Sequence, residues 1–406
     1  MTLAVRVRRV PGPPVVAARL WLRAGSRLEE IPGQSYITGR LLNEGSRRRT
    51  WDRIAAEAED RGMAIHSAGT AETLVVSIDA LAEDRELALD WLAELALEPA
   101  FPEDRLQWIC RQTAAELESL LDRPEVRTAR GFLDQLYHPH PYCRPIQGDA
   151  DSLVRLTAAD CAALHHRALD WGGCLTVTGD VDEDAVQRQL RELFGDLIDP
   201  DRESPPQPAV PPPAGLAENR REVALHSAEQ AYLYAGHLTV PCTHPQAPAL
   251  DIAAVVLGAG AGLSGRLPTR IREQEGLAYS VDVATTAGAG IDAGRLVVFV
   301  GTSPDTVAGA ERVVREELHR LVDGGVEEDE LEEARSYLIG REPFRRETAR
   351  QWAEVLAEAE LYGLDSDRPR RVVARLRSLT RDDVEEAVRQ WIRPDEVKVT
   401  VGLPAG

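Results

Sequence analysis

The strongest constraint on this chain is that its sequence states one pattern twice. From Thr73 to Ala96, "TLVVSIDALAEDRELALDWLAELA" passes from a β-rich run through a short acidic turn into an amphipathic helix. From Arg295 to Leu318, "RLVVFVGTSPDTVAGAERVVREEL" does the same. Each is followed at a similar distance by a helix with an acidic first turn, "FPEDRLQWICRQTAAEL" from Phe101 and "VEEDELEEARSYLIGRE" from Val326. Carboxylates there complement the positive end of the helix dipole. A pattern repeated at this scale marks a duplicated unit. Strands and helices are mixed within it, so the predicted fold class is α+β, with two homologous mixed domains, each a sheet flanked by helices.

The length agrees. At 406 residues the chain exceeds one ordinary core and suits two domains of about 200 residues. Between the copies lies "DPDRESPPQPAVPPPAGLAE", Asp199 to Glu218, crowded with proline and free of any helical or strand period. Such a segment is an extended, semi-rigid linker. The expected boundaries are therefore 1–198, a linker at 199–218, and 219–406. Each domain is expected to close with a further strand and helix, "GCLTVTGDVDEDAVQRQLRELFG" in the first and "DDVEEAVRQWIRPDEVKVTVG" in the second.

Composition removes several function classes. The formal charge of −20 would repel a phosphate backbone, which argues against nucleic acid as a partner. No apolar run approaches the roughly 18 residues of a membrane span, and the alternating start "MTLAVRVRRV" does not resemble a signal peptide. Five cysteines, an odd number with no C-x-x-C pair, point to reduced thiols and a cytoplasmic protein. Basic residues are almost all arginine, with Lys398 the sole lysine.

Few stretches carry chemistry. "GQSYITGRLLNEGS", Gly33 to Ser46, reads as a helix that sets Tyr36 and Arg40 one turn apart on one face. His138 and His140 are separated by proline, His165 and His166 diverge on a helix, and the other five histidines stand alone. Each reads as a packing or surface residue. No G-x-S-x-G elbow is present, and no cysteine sits in a nucleophile context. In "IREQEGLAYS", Arg272 and Tyr279 flank a Gly-Leu-Ala turn; spacing alone makes them an ion-pair anchor and a core edge.

The order of features adds to this reading. Gly25-Ser26 is followed by Glu29 and the Gly33 helix, then by Gly45-Ser46, "RGMAIHSAGTAETLVVSI", "AELESLLDRP", "HPHPYCRPIQGDADSLVRLT", "GDVD" and, in the second half, "SGRLPTRIREQEGLAYSVDV". This succession, spanning essentially the whole chain, resembles the pitrilysin/insulinase (inverzincin) zinc peptidases of the short bacterial type. The resemblance implies half of a clamshell built from two homologous domains.

Active relatives carry His-x-x-Glu-His where this chain has Tyr36-Ile37-Thr38-Gly39-Arg40. In that motif two imidazoles on one helix face bind Zn²⁺ and the glutamate activates a water. Here Tyr36 and Arg40 stand at the ligand positions and Gly39 at the base, while Glu116 stands at the third-ligand position. A guanidinium has no lone pair to offer a metal, so no metal is expected in this chain. Glu116 has two readings, as a partner of Arg40 or as a solvated helix residue.

The resemblance also implies that Arg272 and Tyr279 match a pair that binds substrate backbone and stabilises the oxyanion, with "SGRL" (Ser264 to Leu267) shaping the same wall. Such donors can contribute a few kcal/mol in a dry site. A chain that keeps this pair without the zinc motif looks like the non-catalytic subunit of a heterodimeric zinc endopeptidase. Zinc would come from a paralogous His-x-x-Glu-His partner, and short unfolded peptides would be the substrates. A structural or assembly subunit, and a homodimeric peptide-binding protein, are the alternatives the resemblance leaves open.

Overall fold

The computed structural model describes residues 3–199, 205–226, 228–260, 264–365 and 367–405. Among them, ten strands form two five-stranded sheets of one topology. The first holds β1 (Leu3–Arg9), β2 (Val15–Leu22), β3 (Ala64–Gly69), β4 (Leu74–Leu81) and β5 (Gly173–Gly179) in the order β1-β5-β2-β4-β3. The second holds β6 (Arg220–Leu225), β7 (Ala231–Leu238), β8 (Ala278–Ala287), β9 (Arg295–Thr302) and β10 (Lys398–Pro404) in the order β6-β10-β7-β9-β8. In each, the first strand runs parallel to the last and the other pairings are antiparallel. The duplication and the α+β class are thus present as two copies of one sheet.

The helices repeat in the same order. In the first half these are α1 (Gln34–Leu41), α2 (Trp51–Glu59), α3 (Arg85–Leu97), α4 (Glu103–Leu121), α5 (Pro124–Tyr137), α6 (Ala150–Arg155), α7 (Ala158–Trp171) and α8 (Glu183–Phe194). The second half supplies α9 (Ala247–Leu257), α10 (Arg266–Pro268), α11 (Val307–Gly324), α12 (Glu328–Arg341), α13 (Ala349–Leu361), α14 (Arg368–Ser378) and α15 (Arg381–Trp391). The expected closing strand and helix differ between the halves. In the first, β5 precedes α8; in the second, α15 precedes β10, so α15 matches α7 and α8 has no counterpart.

The compact units do not follow the contiguous boundaries expected at 1–198 and 219–406. Unit 1 comprises Met1–Leu117, Arg144–Val210 and Phe344–Ser366, and unit 2 comprises Glu118–Cys143, Pro211–Pro343 and Asp367–Gly406. The halves have exchanged one helix each, and the two helices, α5 and α13, hold the same place in the repeat. The reason lies in strand alternation, which gives every strand two faces. In unit 1, Leu20 and Leu22 of β2 point into a core with Val76, Leu89, Val177 and Leu190. The opposite face, with Ala17, is covered by Ala349 and Ala353 of α13. Thr178 Oγ1 donates to the Ala349 carbonyl at 2.6 Å, and Arg23 donates to the carbonyls of Glu360 and Leu361 at the other end of α13.

Unit 2 repeats the solution. Leu233, Val298, Val300 and Val401 pack with α9, α11 and α15 on one face. On the other, Phe132, Leu136 and Tyr137 of α5 meet Tyr234 and Leu238. Gln135, fully buried, accepts from Thr400 Oγ1 at 2.9 Å and donates to the Glu218 carbonyl at 3.0 Å. Without α5, that face of the sheet would meet water.

Residues 200–204 of the expected linker lie outside the described residues; 205–218 contain no helix or strand. The linker's end is pinned within unit 2. Gly215 N–H donates to the His138 carbonyl at 2.8 Å and Leu216 N–H to that of Gln135 at 2.9 Å. Lys398 Nζ donates to the carbonyls of Leu216 and Glu218. Among the described residues no helix is long and apolar enough to cross a membrane.

Candidate functional site

The helix α1 begins where Gly33 turns the chain with φ 86°. Its first amides would lack partners in a helix; Glu29 supplies them, accepting from Gly33 N–H and Ser35 N–H at 3.0 Å each. Burial drives the Glu29 carboxyl up to about 7, against the lowering effect of those two amides. Ser35 Oγ donates to the Ala24 carbonyl at 3.0 Å and Gln34 Nε2 to that of Asp160 at 2.8 Å. The helix is therefore held firmly, and its outward turn carries Tyr36 and Arg40.

Arg40 Nη1 lies 3.6 Å from Glu116 Oε2 and donates to Thr113 Oγ1 at 3.2 Å. The guanidinium also lies 5.9 Å from the centroid of the Tyr36 ring. Arg40 and Glu116 thus face each other, and Glu116 is at the same time 53% exposed. Thr113 had no sign in the sequence beyond standing three residues before Glu116 on α4, one turn away on the same face.

Gly39 is held by a tighter constraint. A Cβ at Gly39 would lie 2.0 Å from the Gly69 nitrogen and 2.2 Å from the Ala68 carbonyl carbon; one at Gly69 would lie 2.0 Å from the Ser35 carbonyl oxygen. The helix and β3 touch backbone to backbone through two glycines. The glutamate that a peptidase of this type needs has no room here. Tyr36, Gly39, Arg40 and Glu116 do not fit a zinc ion, because one ligand position is a guanidinium and the base position admits no side chain.

In unit 2 the stretch carrying Arg272 and Tyr279 follows α10. Residues Thr269–Gln274 form a π-helical turn that carries Arg272, a form often found at functional positions. Arg272 Nη2 donates to Glu273 Oε1 at 3.1 Å, and its side chain is 22% exposed. Tyr279 lies on the edge strand β8 where pairing with β9 skips between Ala278 and Ser280, a bulge that turns the side chain outward. It is 85% exposed, so it is no core edge. The "SGRL" segment is structural in part. Arg266 donates to both Glu330 oxygens and to the Gly325 carbonyl. Gly265 closes on Gly258, where a Cβ would meet the Gly258 Cα at 2.5 Å. Residues 261–263 of the glycine-rich "LGAGAGLSG" lie outside the described residues.

The buried histidines serve packing. His165 is held down to about 4 by burial and bonds the Ala96 carbonyl at 2.8 Å. His237 bonds the Leu238 carbonyl at 2.9 Å and accepts from Arg393 N–H at 3.0 Å, which fixes one neutral tautomer. None of the five cysteines is in a disulfide.

Two models of one peptidase family match successive parts of the chain. That of insulinase (peptidase family M16) matches residues 5–148, and that of the peptidase M16 inactive domain matches residues 174–338. The chain belongs to peptidase family M16. An uncharacterized zinc protease of Mycobacterium leprae is 28% identical over 368 residues, covering 89% of this chain and 81% of the relative. A non-peptidase homolog of Helicobacter pylori is 25% identical over 345 residues, covering 82% and 76%. The fold matches the crystal structure of a peptidase M16 inactive domain from Pseudomonas fluorescens with a TM-score of 0.88 at 23% identity, over 100% of this chain and 96% of that one. A protease from Helicobacter pylori matches with a TM-score of 0.83 at 17% identity, over 100% and 98%. Within M16 this chain is of the inactive type, since its α1 carries an arginine and a backbone contact in place of a ligand and a base.

Proposed function

We propose that this M16 chain is the subunit without catalytic zinc in a two-chain endopeptidase, contributing Arg272 and Tyr279 to a site whose metal, ligands and base sit on a paralogous partner. The observation that carries the reading is Tyr279, a large aromatic residue 85% exposed at a bulge of an edge strand. A phenol held outward on rigid strand backbone costs apolar exposure within its own chain and is recovered when a second surface or a peptide meets it. Arg272, a few residues earlier on a π-helical turn, adds a permanent positive charge. Both groups donate hydrogen bonds, which suits binding of peptide carbonyls and stabilisation of negative charge developing on the attacked one. A peptide substrate enters the site as an extended chain, and the partner's metal supplies the activated water.

Affinity capture of the tagged chain from its native cell, with mass spectrometry of what is recovered in stoichiometric amount, tests the reading. Recovery of an M16 paralogue bearing His-x-x-Glu-His is the expected result. The pair should cleave unstructured peptides, and Arg272→Ala should remove turnover while leaving the pair assembled. Recovery as a homodimer would replace this reading with peptide binding. Recovery inside a large assembly that is indifferent to Arg272→Ala would replace it with a structural role.

A further inference from the structure

We propose that Asp134, His138 and Cys143 form a binding site for a zinc-type divalent cation in unit 2. The pair His138 and His140 looks unpromising in sequence, and the structure does send the two rings to different partners. His140 Nε2 bonds Asp292 Oδ2 at 3.1 Å while its Nδ1 accepts from Tyr142 N–H. His138 instead faces Asp134, one turn earlier at the end of α5, with Nδ1 3.6 Å from Oδ1. Cys143 comes from the single 3₁₀ turn that follows, Pro141–Cys143. The three donor atoms lie within 4.8 Å of one another.

That spacing suits a tetrahedral ion. With zinc–ligand bonds of about 2.0–2.3 Å, neighbouring donors stand roughly 3.3–3.8 Å apart. The Asp134–His138 edge, at 3.6 Å, is already in that range, and no edge exceeds 4.8 Å. Thiolate, imidazole and carboxylate together favour Zn²⁺ over Ca²⁺ or Mg²⁺, which take oxygen ligands. Three protein ligands leave a fourth position for water, and the half-exposed His138 side gives access.

The surrounding charges are arranged for this role. Arg221 Nη1 holds Asp134 Oδ2 at 2.9 Å and leaves Oδ1 toward His138. A ligating carboxylate is commonly oriented through its second oxygen in this way. Arg130 donates to the Cys143 carbonyl at 3.0 Å, which holds the backbone of the turn that carries the thiol. The two guanidiniums oppose a dication, and the carboxylate and thiolate offset them. Bound metal would tie the end of α5 to the next turn, at the carbonyl of His138 that receives the linker amides of Ala214 and Gly215. The site uses none of Tyr36, Gly39, Arg40 and Glu116, and its test needs this chain alone.

The experiment is titration of the metal-free full chain with Co²⁺, followed by displacement with Zn²⁺. The expected result is one equivalent of Co²⁺, with a near-ultraviolet sulfur-to-cobalt charge-transfer band that Zn²⁺ removes. Cys143→Ser should abolish the band. His138→Ala, at a half-exposed side chain whose loss does not threaten folding, should weaken binding at least about 10-fold. Absence of the charge-transfer band in the wild-type chain would overturn the proposal, and so would equal affinity in the wild type and His138→Ala.

Discussion

Unit 1 and unit 2 carry the same sheet, yet they treat the segment between the second and third strands in opposite ways. In unit 1 that segment is α1 and α2, and α1 lies so close to β3 that Gly39 and Gly69 exchange backbone contacts. In unit 2 it is α9, α10 and a π-helical turn, and the following strand turns Tyr279 into solvent. One copy has closed its face and the other keeps a polar aromatic group outward. Loss of zinc chemistry in this M16 chain is therefore more than a change of ligands. The backbone itself occupies the place of the base, whereas the second copy leaves Tyr279 exposed at a bulge of its edge strand.

The comparison assumes that each unit is completed by the other half's helix, and the largest expected effect tests that. Phe132→Ala, which empties a fully buried site on α5, should cost about 3–5 kcal/mol. Hydrogen exchange should show the loss of protection in β7 and β10 rather than in β2 and β5, although Phe132 belongs to the first half of the sequence. Next is the closed face itself. Gly39→Ala should destabilise the chain by about 3 kcal/mol, because its Cβ meets backbone rather than a movable side chain. A triple variant restoring His-x-x-Glu-His at positions 36, 39 and 40 should take up no stoichiometric zinc at that helix; zinc content measured against Tyr36→His alone checks this.

The open face makes a different demand. If the proposed two-chain enzyme is reconstituted, Tyr279→Phe should lower its kcat by about 10²-fold and leave the melting temperature of this chain unchanged, as its exposure requires. A melting point that falls with activity would return Tyr279 to a packing role.

The pH dependence is smaller. Glu29 has its pKa raised to about 7 against about 4.3 in an unfolded chain. The folded state thus favours the protonated form, and this group's contribution is lost as pH rises from about 4.3 to about 7, by on the order of 1–3 kcal/mol. His165, held down to about 4, works the other way, since its neutral form is favoured and stability falls as pH drops below about 6.5. Denaturant titrations of Glu29→Gln against wild type at pH 5 and pH 8 separate them. The variant should gain relative stability at pH 8. Smallest of all is Glu116→Gln, expected to cost less than about 0.5 kcal/mol because Glu116 is half exposed and its partner stands at 3.6 Å.

Much of this was legible in the chain and some was not. The repeated strand–turn–helix pattern showed that the two halves carry similar elements in a similar order, because alternation and helical periodicity are local properties; the strand order of the sheets came from the structure. Capping is local too; Asp182 accepts from Ala185 N–H at 2.9 Å at the start of α8. The face shared by Tyr36 and Arg40 follows from helical spacing, and Arg40 cannot bind a metal in any fold. The helix exchange was hidden, because α5 and α13 are amphipathic like their neighbours and nothing local says which sheet they cover. Gly39 looked like a missing base, and only its distance to Gly69 made it a steric block. His138 read as a packing or surface residue until the end of α5 and the next turn brought Asp134 and Cys143 beside it.

Sequence by itself determined the duplication, the α+β class and the loss of the zinc ligands, since each depends on residue type and short-range spacing. Tertiary structure alone decided which helix completes which sheet, how closely α1 meets β3, and which side chains converge at the end of α5. Those depend on contacts between residues far apart in the chain, and the packing of a whole unit chooses them.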